Sequence, residues 1–189
     1  ERGGVFATAH VRGGGEYGKR WWKGGQKLTK PNTWRDLIDC CEHLIKQRWT
    51  SKAALTIQGG SAGGITVGRA LTERPDLFAG VISNVGVSNT LRAEFSQNGP
   101  PNIDEFGTVK EADGFTGLRA MDAATLAFSE SVSPAIGIPA TTSHPSRTRR
   151  DSPAPSAPIT STSGREASTS SIGISALASR PTTNSPALR

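Results

Sequence analysis

The stretch that most limits the possible folds of this chain is a short β-prone run that passes through consecutive glycines directly into a helical pattern. Residues 53–58 suit a strand, residues 59–64 read Gly-Gly-Ser-Ala-Gly-Gly, and residues 65–73 suit a helix that stops before Pro75. Strands and helices also alternate on either side of this stretch. Such alternation predicts βαβ units, and therefore a mostly parallel sheet with helices on both faces. We assign the chain to the α/β class.

The elements around this stretch support the same class. A buried strand is predicted over residues 5–11, and a Gly-rich loop follows it. The clearest helix is predicted over residues 33–49, where Thr33 and Asp36 suit a capping box and apolar residues recur on one face. Beyond it we predict a strand over residues 81–85 and short helices over residues 91–95 and 115–121.

The sequence changes character after Ala123. Residues 124–189 consist mostly of Ser, Thr, Pro and Ala, contain no Lys and have Phe128 as their one aromatic residue. Such a segment buries too little apolar surface to offset the ordering of its backbone, which costs roughly 1–2 kcal/mol per residue. We therefore expect a folded domain over residues 1–123 and a disordered tail over residues 124–189.

Charge and composition narrow the possible functions. The net charge of +6 is shared by both parts of the chain, and the Arg147, Arg149 and Arg150 cluster lacks interleaved aromatics that could stack on bases. We therefore expect no nucleic-acid partner. No apolar run reaches the length of about 18 residues that a membrane helix needs. The adjacent Cys40 and Cys41 suit neither a disulfide nor a zinc site, so we expect them at the edge of the core, in a cytoplasmic protein.

The glycine turn contains the pattern Gly-x-Ser-x-Gly between a predicted strand and a predicted helix. This context holds the serine out at the carboxyl edge of the sheet, beside a helix N-terminus that favours negative charge. Ser61 is therefore a candidate catalytic nucleophile, and the backbone N–H of Ala62 is a candidate donor to the oxyanion of an acyl transfer. A helix N-cap serine and a dinucleotide-binding turn remain as alternatives, although the sequence lacks the Gly-x-Gly-x-x-Gly pattern of the latter.

A serine nucleophile needs a base, and the base needs an orienting acid. The chain offers His10, His43 and His144 as bases. In α/β-hydrolases the acid and then the histidine follow the serine, so chain order leaves His144, with Asp122 or Glu130 as the acid. His144 lies in the low-complexity tail, and we do not expect it to be catalytic.

Six segments of the first 123 residues resemble, in order and spacing, the catalytic domain of the prolyl oligopeptidase family. They are Val-Arg-Gly-Gly-Gly-Glu-Tyr-Gly at 11–18, Trp-Lys-Gly-Gly at 22–25, Leu-Thr-Ile-Gln-Gly-Gly-Ser-Ala-Gly-Gly at 55–64, Arg-Pro-Asp-Leu-Phe at 74–78, Glu-Phe-Gly-Thr-Val at 105–109 and Ala-Met-Asp-Ala at 120–123. The resemblance implies a partial α/β-hydrolase fold. It also implies a serine peptidase that cleaves short peptides, usually after proline, with no cofactor and no metal.

The resemblance assigns roles to three residues by position. Ser61 is the nucleophile, and Ala62 is the oxyanion donor where the family often has Asn. Val87 is a wall of the pocket for the residue before the cut. A tyrosine that completes the oxyanion hole, and a β-propeller, are expected before Glu1.

The acid and the histidine of the family have no counterpart after Ala123, where the resemblance stops abruptly. We therefore expect a fragment without peptidase activity of its own, with a tail created by a frameshift near residue 124 of a GC-rich gene. Two alternatives remain open. One is an esterase- or lipase-like hydrolase that uses His144, and the other is a non-enzymatic module whose Arg-rich tail binds acidic partners.

Overall fold

The computed structural model describes residues 4–127 and 172–177, and all structural statements concern these residues. Four strands in this part form one sheet: β1 (Gly4–Ala9), β2 (Leu55–Gly60), β3 (Gly80–Asn84) and β4 (Ile172–Leu177). Their order across the sheet is β1-β4-β2-β3. β2 and β3 are parallel, whereas β4 is antiparallel to both of its neighbours, β1 and β2. The three strands of the first part of the chain therefore run in one direction, with β4 reversed among them.

Helices alternate with the first three strands, which confirms the α/β class. The α-helices are α1 (Lys19–Lys23), α2 (Pro31–Lys46), α3 (Ala62–Glu73), α4 (Ile103–Phe106), α5 (Ala112–Met121) and α6 (Ala123–Ala127). Short 3₁₀ helices lie at Lys27–Thr29, Lys52–Ala54, Thr90–Phe95 and Pro100–Asn102. α3 packs on β2 and β3, and α2 packs on α3. None of these helices has both the length and the apolar character that crossing a bilayer demands.

The core lies where the predicted apolar faces meet. In α2 the buried side chains recur three or four positions apart, as an amphipathic helix requires: Trp34, Leu37, Ile38 and Cys41. β2 alternates between buried and half-buried positions, so that Leu55 and Ile57 point into the core. Cys40 is half-buried at the edge of the core, as expected, whereas Cys41 is fully buried within it.

The predicted capping box of α2 is wrong. The helix begins at Pro31, two residues before Thr33, because proline already has the backbone angle of a first helical residue and lacks an N–H that would need an acceptor. Thr33 Oγ1 instead donates to the carbonyl of Arg12 at 2.9 Å. Asp36 accepts from the backbone N–H of Arg12 at 2.9 Å and from its guanidinium. Both side chains therefore tie α2 to the segment that follows β1.

The structure differs from the predicted tail at two places. α6 crosses the proposed boundary at residue 124, and Ile172–Leu177 forms a strand inside the sheet. This strand carries the apolar residues Ile172, Ile174 and Ala176 at alternate positions, a pattern that the composition of the whole tail conceals. The rest of residues 124–189 lies outside the described residues, so the division into two parts remains a prediction.

Candidate active site

Ser61 lies at the junction of β2 and α3 with a backbone conformation that is unusual for a residue with a side chain. Its φ is 50° and its ψ is −115°. Its N–H donates to the carbonyl of Asn84 at 3.1 Å, and its carbonyl accepts from the N–H groups of Gly64 and Val87 at 3.0 and 3.1 Å. These bonds hold the turn against the end of β3, so the surrounding structure fixes the strained conformation.

Close backbone approaches explain why glycines surround Ser61. A Cβ at Gly59 would lie 2.4 Å from the carbonyl oxygen of Gly63. A Cβ at Gly64 would lie 2.3 Å from the Cα of Gly86, in the segment after β3. The need for small residues beside Ser61 was readable from the motif, whereas the contact between Gly64 and Gly86 was not, because it joins residues far apart in the sequence.

The elbow presents an exposed hydroxyl beside the start of a helix. Ser61 is exposed, and Ala62, the first residue of α3, is buried. The N–H of a first helical residue has no acceptor within its own helix, and the helix dipole adds positive potential at this end. The arrangement can therefore supply a nucleophilic oxygen and a backbone donor to a developing oxyanion.

No histidine in the described residues is hydrogen-bonded to Ser61. His10 pairs instead with Glu16, with 3.4 Å between Nδ1 and Oε1, and packs edge-on against the ring of Tyr17. His43 lies exposed on α2. His144, the candidate base of the alternative hydrolase, lies outside the described residues.

Asp122, one of the two candidate acids, has a structural role. It is fully buried, and its Oδ1 accepts from the N–H of Thr125 at 2.8 Å in the first turn of α6. Its Oδ2 accepts from the N–H of Leu91 at 3.1 Å. Both carboxylate oxygens therefore accept hydrogen bonds from backbone N–H groups. The other candidate, Glu130, lies outside the described residues.

Ser61 and Val87 line one cleft of about 190 Å³. The structure therefore brings together the predicted nucleophile and the predicted pocket wall. Phe106 and Glu94 also line this cleft, and sequence reasoning missed both because the periodicity is weak beyond Val87. Phe106 could have been recognised as a candidate, since it lies within the segment 105–109 that carries the resemblance.

A buried lysine fixes the Phe106 side of the cleft. Lys30 is only 3% exposed, and its Nζ donates to Oε1 of Glu105 at 2.7 Å. The same Nζ lies 5.0 Å from the centre of the Phe106 ring, within the range of a cation–π contact. The ion pair and the ring contact link the start of α2 to α4, which holds one side of the cleft in place.

Metal-ligating side chains do not gather in this part of the chain. Across residues 4–127 and 172–177, no group of three or more His, Cys, Asp or Glu side chains is placed to hold a metal ion. The absence of a cofactor remains a prediction from the resemblance.

The chain is similar to peptidases. The prolyl oligopeptidase family matches residues 1–132, slightly beyond the point where the resemblance was expected to stop. A prolyl endopeptidase of Dictyostelium discoideum is 40% identical over 112 residues, which cover 59% of this chain and 15% of that protein. Protease 2 of Moraxella lacunata is 42% identical over 123 residues, which cover 64% of this chain and 18% of that protein.

Solved structures of similar proteins show the same fold. A post-proline cleaving enzyme from Rickettsia typhi is 33% identical, with a TM-score of 0.58 over 60% of this chain and 16% of its own. Oligopeptidase B from Trypanosoma brucei is 37% identical, with a TM-score of 0.57 over 60% of this chain and 17% of its own. The chain therefore has part of the fold of these enzymes and spans roughly a sixth of their length.

Proposed function

Because the chain belongs to the prolyl oligopeptidase family, we propose that Ser61 is the nucleophile of a serine peptidase site that acts on short peptides. The strained elbow between β2 and α3 is the observation that carries this proposal, since it exposes a hydroxyl where a helix begins. Relatives named as prolyl endopeptidase and as post-proline cleaving enzyme favour cleavage after proline.

The proposed reaction is an acyl transfer through Ser61. Its Oγ attacks the scissile carbonyl carbon and gives its proton to a base, and the amine product leaves with a proton as the acyl-enzyme ester forms. The N–H of Ala62 donates to the oxyanion, a contribution that is typically worth about 2.7–4 kcal/mol. Val87 contacts the residue before the cut. Water then hydrolyses the ester and releases Ser61.

We further propose that this chain alone does not turn over peptides. The described residues place no histidine in hydrogen-bond contact with Ser61, and the tail that holds His144 has a composition unlike that of a catalytic domain. In subtilisin, loss of the histidine alone costs about 10⁶ in turnover. Proline-containing peptides and p-nitrophenyl esters should therefore both be hydrolysed no faster by the wild-type chain than by the Ser61→Ala variant.

Labelling by a fluorophosphonate with and without added imidazole tests the nucleophile directly. Imidazole can substitute for an absent base, so we expect slow labelling of Ser61 alone and faster labelling with imidazole. Mass spectrometry of the labelled peptides identifies the serine, and the Ser61→Ala variant is the control.

Two results would count against the proposal. If Ser61 is labelled at the same rate as the exposed Ser96 both without and with imidazole, that result would argue against a nucleophile elbow. Rapid stoichiometric labelling of Ser61 without imidazole would show that a base is already in place, and would contradict the proposal that the chain alone is inactive.

A further inference from the structure

The space between β1 and β2, which we call the strand slot, is filled by a segment that lies far from both strands in the sequence. β4 (Ile172–Leu177) pairs with all six residues of β1 and with four residues of β2. It runs antiparallel to both strands, and residues 128–171 lie between it and the end of α6. The chain up to α6 therefore forms both walls of the strand slot without including its occupant.

β4 uses the strand slot incompletely on its β2 side. The pairing of β2 with β4 ends at Gln58, whereas the pairing of β2 with β3 continues to Gly60. Among the described residues, Gly59 and Gly60 therefore have a strand partner on one side only. Backbone groups at such an edge are ready to pair with a further strand. An extended segment that follows β2 to its end can form more main-chain hydrogen bonds than β4 does.

A cavity beside Ile174 shows that β4 also leaves space unfilled. Ile174 is 2% exposed and lines a cavity of about 380 Å³, whose walls include Ala7 and Ala9 of β1 and Cys40 and Leu44 of α2. Atoms beside such a space lack the contacts that a filled space would give them, so a larger apolar side chain at this position gains contacts. The strand slot therefore accepts a bulkier strand than the one that occupies it.

We propose that the strand slot is a binding site for an extended apolar peptide, and that it takes the β4 segment of a second copy of this chain. The slot already holds this sequence, which contains neither a charged residue nor proline, as strand addition favours. Main-chain hydrogen bonds supply the affinity, and the cavity beside Ile174 supplies a preference for an apolar side chain. The inference goes beyond the proposed function and does not depend on Ser61.

The length of the chain before β4 allows exchange between copies. Residues 128–171 span more than about 100 Å when extended, which is enough for β4 to reach the strand slot of a neighbouring molecule. Exchange of identical elements between protomers produces a domain-swapped dimer. The same connection holds a chain's own β4 near its slot at an effective concentration of at most about 1 mM. A swapped dimer should therefore form as the protein concentration approaches this value.

A fluorescent peptide with the sequence of residues 170–179 is the probe, and its affinity for the full chain is measured by anisotropy. The wild-type chain should bind it weakly, because its own β4 competes. Ile174→Asp places a charge at a buried position and should release β4 from the slot. This variant should therefore bind the probe at least about tenfold more tightly. Ser156→Asp, which adds the same charge within residues 128–171, is the matched control and should bind as weakly as the wild type.

Equal affinity of the probe for the wild-type and Ile174→Asp chains would overturn the proposal, as would equal binding of a probe that itself carries the Ile174→Asp change. A probe with the Ile174→Phe change should bind about fourfold more tightly, the effect of burying roughly one more methylene group. This second probe also covers the case in which the Ile174→Asp chain does not fold. An excess of it should shift the backbone amide resonances of residues 4–9 and 55–58 in the wild-type chain, and shifts confined to other residues would overturn the proposal.

Sedimentation of the wild-type chain at increasing concentration tests the second copy as the source of the strand. We expect a dimer near about 1 mM, and we expect an excess of the Ile174→Phe probe to dissociate it because both compete for the strand slot. A chain that stays monomeric at this concentration, or a dimer that the probe leaves intact, would overturn the exchange of β4 between copies.

Discussion

Ser61 and Val85 occupy backbone conformations that side chains normally avoid. Ser61 has a φ of 50° and Val85 has a φ of 44°, and a β-branched residue in that region is a clear outlier. Such conformations typically cost about 1–3 kcal/mol each, and they persist only where the surrounding structure imposes them. Both residues line the cleft, and Val85 is 93% exposed. Two of the four non-glycine residues with a positive φ in the described part of the chain therefore lie at the proposed active site, and the other two, Lys27 and Arg48, lie elsewhere.

Because the Cys41 thiol is buried, the free energy of unfolding should depend on pH. Burial raises the pKa of its thiol from about 9 to about 12, because the core disfavours the thiolate. Above pH 9 the thiol therefore ionises in the unfolded chain and stays neutral in the folded chain. Stability should fall between pH 9 and pH 12, by at most about 1.4 kcal/mol per pH unit from this group. Urea unfolding at a series of pH values measures the fall.

The Cys41→Ala variant separates this contribution from those of other groups, among them Cys40, whose thiol pKa burial also raises. Its free energy of unfolding should be lower throughout and should decline less steeply with pH than that of the wild type. Parallel declines in the two proteins would show that the folded core does not exclude the Cys41 thiolate.

At the scale of elements, β4 completes the sheet. β1 and β2 run in the same direction without being neighbours, and β4 lies between them with six residue pairs to β1 and four to β2. Without β4, both strands would present unpaired backbone edges, which favour aggregation. The segment Ile172–Leu177 is therefore a structural part of the fold that carries Ser61.

A substitution at Ile174 tests whether β4 packs in the sheet. It is 2% exposed, and in the strand register it lies opposite Ala7 on one side and Ile57 on the other. Ile174→Ala should lower the free energy of unfolding by about 2–4 kcal/mol, as for other buried isoleucines. Ile82→Ala, on β3 and 46% exposed, should cost much less. Urea unfolding compares the two variants, and equal small effects would mean that β4 does not pack in the sheet in solution.

At the scale of the whole molecule, the sequence predicted those features that depend on neighbouring residues. The apolar face of α2, the strand β2 and the turn at Ser61 each depend on residues close in sequence, and all three were predictable. The position of β4 and the place of Glu94 in the cleft were not. They depend on contacts between distant segments, which no periodicity encodes. The capping prediction failed for a local reason, because Pro31 begins the helix two residues before Thr33, but the contacts of Thr33 and Asp36 with the distant Arg12 were not predictable.

If the chain folds into a nucleophile elbow at position 61, the start of α3 should activate a thiol placed there. A helix N-terminus lowers the pKa of a cysteine below its ordinary value. The comparison is between the Ser61→Cys and Ser96→Cys variants, since Ser96 is also exposed and lines the same cleft without preceding an α-helix.

The measurement is the rate of iodoacetamide alkylation at pH 7, with each site identified by mass spectrometry so that Cys40 and Cys41 do not interfere. We expect the thiol at position 61 to react about tenfold faster than the thiol at position 96. Equal rates, or slower reaction at position 61, would contradict it.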